Sequence, residues 1–164
     1  MGFIRVKKIN GSEYAYLVEN KWYKRGFKGK GRGSRQKVSR YLGRVYFFDK
    51  TDGWDFLTFK SINNLEQYLK NNSNNKNQIF KDLVEWELFR HSIDKNEFVI
   101  DFSNKKILKN NKMVSLRMNE GFLNSFTLSR LFNINSNDSY YLAKCFVEAG
   151  IEVPKEIFVG IFGR

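Results

Sequence analysis

The chain has 164 residues and a mass of 19.5 kDa, enough for one ordinary domain or two small ones. Apolar residues make up 41%, and 16 Phe, 8 Tyr and 3 Trp give an aromatic content that excludes disorder of the chain as a whole. A net charge of +12, from 29 Lys and Arg against 17 Asp and Glu, points to a polyanionic partner.

No apolar run reaches the roughly 18 residues of a membrane-spanning helix, so no membrane partner is expected. The opening Met1-Gly2-Phe3-Ile4-Arg5 is charged where a signal peptide would be apolar. A single cysteine, Cys145, excludes an internal disulfide, and a single histidine, His91, leaves little for zinc. The expected setting is reducing cytoplasm, with no cofactor and no metal.

Taken in chain order, residues 3–9 alternate apolar and basic positions as a strand does, and Asn10-Gly11 supplies a hairpin turn. A second strand is predicted over 13–23, with Tyr14, Tyr16, Val18 and Trp22 on one face and Ala15, Leu17, Lys21 and Tyr23 on the other. With so many aromatics to house, the Tyr14, Tyr16 and Trp22 side is expected to form a wall of the core rather than a stacking platform. A third strand follows over 36–48, where Gly43 marks a bulge or a close backbone approach. Asp52-Gly53 signals a turn, and 54–59 is predicted as a fourth strand.

Ser61 is read as the N-cap of a helix carrying Ile62, Leu65 and Leu69. The polar run 71–78 is expected to be a loop, followed by a largely buried helix over 79–91. Short strands are predicted at 98–102, 107–108 and 113–118, the last two joined at Asn110-Asn111. From Glu120 onward the pattern is helical: 140–149 closes at Gly150, and Pro154 opens a final helix. The fold class is therefore α+β. An N-terminal antiparallel meander of three or four strands with a long basic hairpin loop (1–60) precedes an α+β body ending in helices (61–164), the two separate or packed as one domain.

The charge excess sits in the meander. Residues 1–50 carry fourteen cations and three acids, Glu13, Glu19 and Asp49, which leaves the rest of the chain near neutral at +1. Residues 21–44 hold ten cations, Lys21, Lys24, Arg25, Lys28, Lys30, Arg32, Arg35, Lys37, Arg40 and Arg44, and no acid. Glycines at 26, 29, 31 and 33 free the backbone between them to follow a phosphate chain, and Phe27 is placed to stack on a base. Unopposed charge at this density costs self-repulsion that a phosphate backbone relieves. By the period-two rule Arg40 and Arg44 fall on one face of the third strand and extend the basic stripe.

The stretches Ile4-Arg5-Val6-Lys7-Lys8-Ile9-Asn10-Gly11, Glu13-Tyr14-Ala15-Tyr16-Leu17-Val18-Glu19 and Arg35-Gln36-Lys37-Val38-Ser39-Arg40-Tyr41-Leu42-Gly43-Arg44-Val45 resemble the N-terminal segment of certain insertion-sequence DDE transposases and related stand-alone prokaryotic and archaeal proteins. The resemblance covers residues 3–46 and implies a small β-module that meets nucleic acid ahead of a catalytic domain. It gives no support to transposition, because the remaining residues are too few for an RNase-H-like core and present no DDE triad.

Other constellations are weaker. Asp49, Asp52 and Asp55 miss the alternate-position spacing of a calcium loop and read as turn acids. Glu87 and His91, four apart on a helix, with Asp94 and Asp101, suggest a metal-dependent nuclease, against the simpler reading of a surface Glu–His pair. Cys145 reads as a buried structural thiol. The last helix, with Ile157, Phe158, Val159, Ile161 and Phe162 and one cation, Lys155, lacks the side chains of a DNA-reading helix. It belongs in the core or against a partner protein. The expected function is non-enzymatic binding of RNA or DNA through the phosphate backbone, docking a larger nucleoprotein assembly. A nuclease using the middle acids, or an adaptor using the C-terminal helix, are the alternatives.

Overall fold

The computed structural model describes residues 2–24, 33–133 and 138–162. β1 (Gly2–Ile9) turns at Asn10 and Gly11 into β2 (Ser12–Tyr23). Both turn residues have positive φ, 49° and 81°, as a two-residue hairpin turn with the right twist requires. β2 pairs antiparallel with β3 (Gly33–Phe48), completing the expected meander. Three helices follow, α1 (Phe56–Lys60), α2 (Leu65–Asn71) and α3 (Lys76–Arg90). The short strands β4 (Val99–Asp101) and β5 (Lys106–Lys109) then lead to β6 (Lys112–Met118), which returns parallel to β3. β7 (Gly121–Leu123) folds back on β6, and α4 (Ser125–Phe132), α5 (Ser139–Glu148) and α6 (Lys155–Phe162) close the chain. One sheet results, ordered β1-β2-β3-β6-β5-β4, and the class is α+β.

Four local expectations are corrected. The predicted fourth strand is α1, because Asp55 accepts a hydrogen bond from the Thr58 N–H at 2.7 Å and starts a helical turn that buries Phe56. Ser61 ends that helix in a left-handed conformation, φ 53°, and the N-cap of α2 is Asn64, which accepts from Gln67 N–H at 3.1 Å. The polar run shrinks to 72–75, since Asn75 occupies the N-cap position of α3 and Gln78 bonds Asp82 one turn on at 3.0 Å. Residues 121–123 are a strand rather than helix; α4 waits for the reciprocal cap between Asn124 and Thr127. Gly150, φ 73°, follows α5 as expected, and the Pro154 carbonyl accepts from Phe158 N–H at the start of α6.

The main core forms where α3 lies against β6 and α4–α6, with Leu83, Val84, Leu116, Met118, Leu128 and Phe146 among its buried members. A smaller cluster, Ala15, Leu42 and Val45, is covered by Phe122 and Phe126 and joins the meander to the body. Between the clusters, Gly43 has φ 101°, and a Cβ there would lie 2.3 Å from the Met113 carbonyl oxygen. Only glycine lets β3 pass this close to β6.

Glu87 and His91, expected as a surface pair, are 0% and 2% exposed. The Glu87 carboxylate accepts from Arg90 at 2.9 Å, from the Asn119 amide at 2.8 Å and from the Glu152 N–H at 3.2 Å. His91 Nδ1–H donates to the Glu87 carbonyl at 2.8 Å. Arg90 also meets Glu152 at 2.9 Å and lies 4.2 Å from the centre of the Trp86 ring. Burial pushes the Glu87 carboxyl up, opposed by the Glu152 N–H, Arg90 and Asn119. The network stitches α3 to the β6–β7 turn and to the connection between α5 and α6.

Three substitutions, Gly11→Ala among them as a control, test these anchors by urea denaturation. Gly43→Ala is expected to cost about 2–4 kcal/mol through positive φ and the carbonyl clash. Gly11→Ala, with no neighbour within 4 Å, should cost about 1 kcal/mol. Glu87→Ala leaves Arg90 and Asn119 facing an empty site and is expected to cost about 3–5 kcal/mol.

Candidate nucleic-acid interface

Among the described residues, β1 covers β2 as far as Glu19, paired with Gly2, and β6 joins β3 from Arg44 onward. Residues 20–23 and 33–36 therefore form a two-stranded ribbon extending past both neighbours. Its side chains are almost all exposed, with Trp22 at 67%. Lys21 and Arg35 stand directly opposite each other, two cations side by side across the strands. The Arg35 guanidinium lies 5.5 Å from the Tyr23 ring centre. Lys24 continues the ribbon, exposed, at the edge of the described residues. Arg25, Phe27, Lys28, Lys30 and Arg32 lie outside the described residues.

The expected common face for Arg40 and Arg44 is not found. Arg44 pairs with Tyr14, but Arg40 pairs with Leu17, because Leu42 is an extra residue between Gly43, opposite Ala15, and Tyr41, opposite Tyr16. One inserted residue reverses the alternation, and the two arginines emerge on opposite sides. Arg40 reaches α4, donating to Ser125 Oγ at 3.1 Å. Arg44 lies 5.3 Å from the Tyr46 ring centre. Lys37 shares the Arg40 side and sits opposite Glu19. Thus Lys21, Arg35, Lys37 and Arg40 share one face of the ribbon and sheet, and Arg44 belongs to the other.

That other face carries a group the sequence did not assemble. Tyr14, Tyr16 and Tyr41 are neighbours, with ring centres 6.5 Å apart for Tyr14–Tyr41 and 5.4 Å for Tyr16–Tyr41. Tyr41 reaches it only through the Leu42 bulge, so strict alternation along β3 gave no signal for it. Burial, then the neighbouring phenols of Tyr16, Tyr14 and Tyr46, push the Tyr41 hydroxyl up. Trp22 shares this face but stands on the ribbon beyond β1, so it is no wall of the core.

The remaining candidates have structural duties. Asp52 accepts from Trp54 N–H at 2.8 Å and Asp55 caps α1, while Asp94 and Asp101 accept from the backbone of Asn96 and Asn104 at 2.8 and 3.0 Å. Among the described residues no three His, Cys, Asp or Glu gather where they would hold a metal ion. Cys145 is buried, and burial pushes its thiol up. In α6, Ile157 is buried and Ile161 and Phe162 pack on the main core, leaving Val159 exposed. No described helix is long and apolar enough to cross a membrane.

The exposure of Trp22 yields a direct check. Trp22→Ala should change the unfolding free energy by less than about 1 kcal/mol, against the roughly 3–5 kcal/mol of a core tryptophan, in thermal and urea melts.

In comparisons with protein-family models, with curated proteins and with solved structures, nothing matches this chain.

Proposed function

We propose that this protein binds nucleic acid through its phosphate backbone, using the β2–β3 ribbon and the basic segment it carries. The observation behind this reading is the ribbon itself, exposed and acid-free, with Lys21 and Arg35 held opposite each other. Folding the chain brings these cations side by side on an exposed surface, and a row of phosphates meeting them gains free energy by releasing condensed counterions. Lys24 lies on the same extension, and Lys37 and Arg40 continue the line toward the body. Binding of this kind is driven by charge and carries little sequence code. The acids of the nuclease alternative are engaged elsewhere, Glu87 with Arg90 and Asn119 and Asp94 and Asp101 with backbone N–H groups, which supports a binding role over that alternative. The packing of Ile157, Ile161 and Phe162 on the core supports docking by the basic end rather than by the C-terminal helix.

Salt titration is the test. With four to six phosphate contacts, the log–log dependence of duplex affinity on salt should have a slope of about −4 to −5. Lys21→Ser, Lys24→Ser and Arg35→Ser together should make it shallower by about 2–3. Cooperative unfolding should be nearly unchanged, since these side chains are exposed. A slope near zero, or a triple variant that keeps the wild-type slope, overturns the reading.

A further inference from the structure

The phosphate-binding reading leaves one large exposed feature unused, the tyrosine face of the meander. Strand register places Arg5 opposite Tyr16 and Lys7 opposite Tyr14 on β1, and Tyr41 and Arg44 opposite Tyr16 and Tyr14 on β3. The three rings belong to neither hydrophobic cluster, and Tyr41 is 44% exposed on β3, ahead of the point where β6 joins. Two tyrosines two residues apart on one strand stand about 7 Å from each other, with the third on the neighbouring strand. Cations are interleaved with them: Lys7 Nζ lies 5.1 Å from the Tyr16 ring centre, Arg5 donates to Gln36 across the strands, and Arg44 stands beside Tyr46.

Charge is sorted between the two faces. Glu13 and Glu19, the acids of β1–β3, both project to the opposite side, where they face Lys8 and Lys37. The tyrosine face therefore offers aromatic rings and positive charge with no acid among them. The body meets it at Tyr46 and Phe48, whose ring centres lie 5.3 and 5.4 Å from that of Phe98, and at Tyr46 again, where Lys109 Nζ lies 4.7 Å from the ring centre.

We propose that Tyr14, Tyr16 and Tyr41, with Arg5, Lys7 and Arg44 around them, form a base-stacking platform for single-stranded nucleic acid, extended along the ribbon by Trp22. The proposal rests on the nucleic-acid reading above and narrows it to a ligand whose bases are unpaired. An apolar protein partner would account for the rings but not for the cations among them. A duplex would account for the cations but keeps its base faces stacked inside. A single strand accounts for both, as sheet aromatics that stack two or three bases and nearby cations that hold the phosphates.

Fluorescence anisotropy with the full chain and labelled oligothymidine, oligouridine and mixed-sequence duplex of equal length tests the proposal. Tyr16→Leu with Tyr41→Leu keeps apolar bulk but removes the rings, and Tyr41→Phe keeps a ring at that position. The double leucine variant should lose at least about tenfold in affinity for single strands, with duplex affinity within about twofold of wild type. Tyr41→Phe should bind single strands nearly as wild type. The ribbon variant of Lys21, Lys24 and Arg35 should weaken both ligands. If wild type binds neither ligand, the nucleic-acid reading fails and this inference falls with it. If wild type binds both and the leucine variant binds both equally well, the platform is overturned while the ribbon reading stands. A leucine variant that loses a self-associated state in sedimentation, with single-strand binding intact, also overturns it and assigns the face to a second copy of this chain.

Discussion

β3 serves two sets of partners, and the handover between them takes place within a few residues around Gly43. Up to Arg44 the strand is the outer member of an antiparallel meander; from Arg44 it also runs parallel to β6 in the body. The close approach of Gly43 to the Met113 carbonyl makes the parallel pairing possible, and the extra residue Leu42 lets the strand bend into it. Leu42 and Val45 then fall in the small cluster under Phe122 and Phe126, so the meander is held by both hydrogen bonds and packing. The same bulge decides what the surface looks like. It buries Leu42, sends Arg40 toward Ser125 and turns Tyr41 and Arg44 to the side of Tyr14 and Tyr16.

The body does different work. Glu87, Arg90, Asn119 and Glu152 form a buried polar network whose members come from distant segments, with Lys50 at the end of β3 paired to Glu152 at 2.9 Å. Such a network adds modest net stability but penalises any rearrangement that strands one of its charges. The helical body is thereby fixed relative to the end of β3. Thr51 and Asp52 donate their N–H groups to the Arg90 carbonyl at 2.8 and 3.0 Å and tie the same junction again.

Much of this was legible in the sequence where the cause is local. Alternation of side chains marked the strands of the meander, Asn10-Gly11 marked their turn, and Gly150 marked the end of α5, each through a conformational preference of the residue itself. The basic stretch was legible because charge is additive along a chain. Failures share another origin. The stretch 54–59 follows a turn signal as a strand would, but the Asp55 cap starts a helix there instead. Glu87 looked solvated because its partners Asn119 and Glu152 lie 32 and 65 residues away. Arg40 and Arg44 were placed on one face because the bulge is set by the approach of β6, about which β3's own sequence says little beyond the glycine.

In the proposed reading, the two faces of the meander would divide the interaction with a polyanion by range. Exposed charges on the ribbon act over about a Debye length, roughly 8 Å at physiological salt, and attract any phosphate chain whatever its bases do. Stacking on Tyr14, Tyr16 and Tyr41 acts only at contact and is nearly independent of salt, so it discriminates by whether bases are available. A surface with the first property alone would hold duplex and single strand alike. A surface with the second alone would be slow to find its ligand in dilute solution. Joined on the same strands, as proposed, the charges would raise the local concentration of nucleic acid and the rings would retain the form with unpaired bases. Raising the salt should then erode duplex binding faster than single-strand binding, because a larger share of the single-strand free energy comes from contacts that ions do not screen.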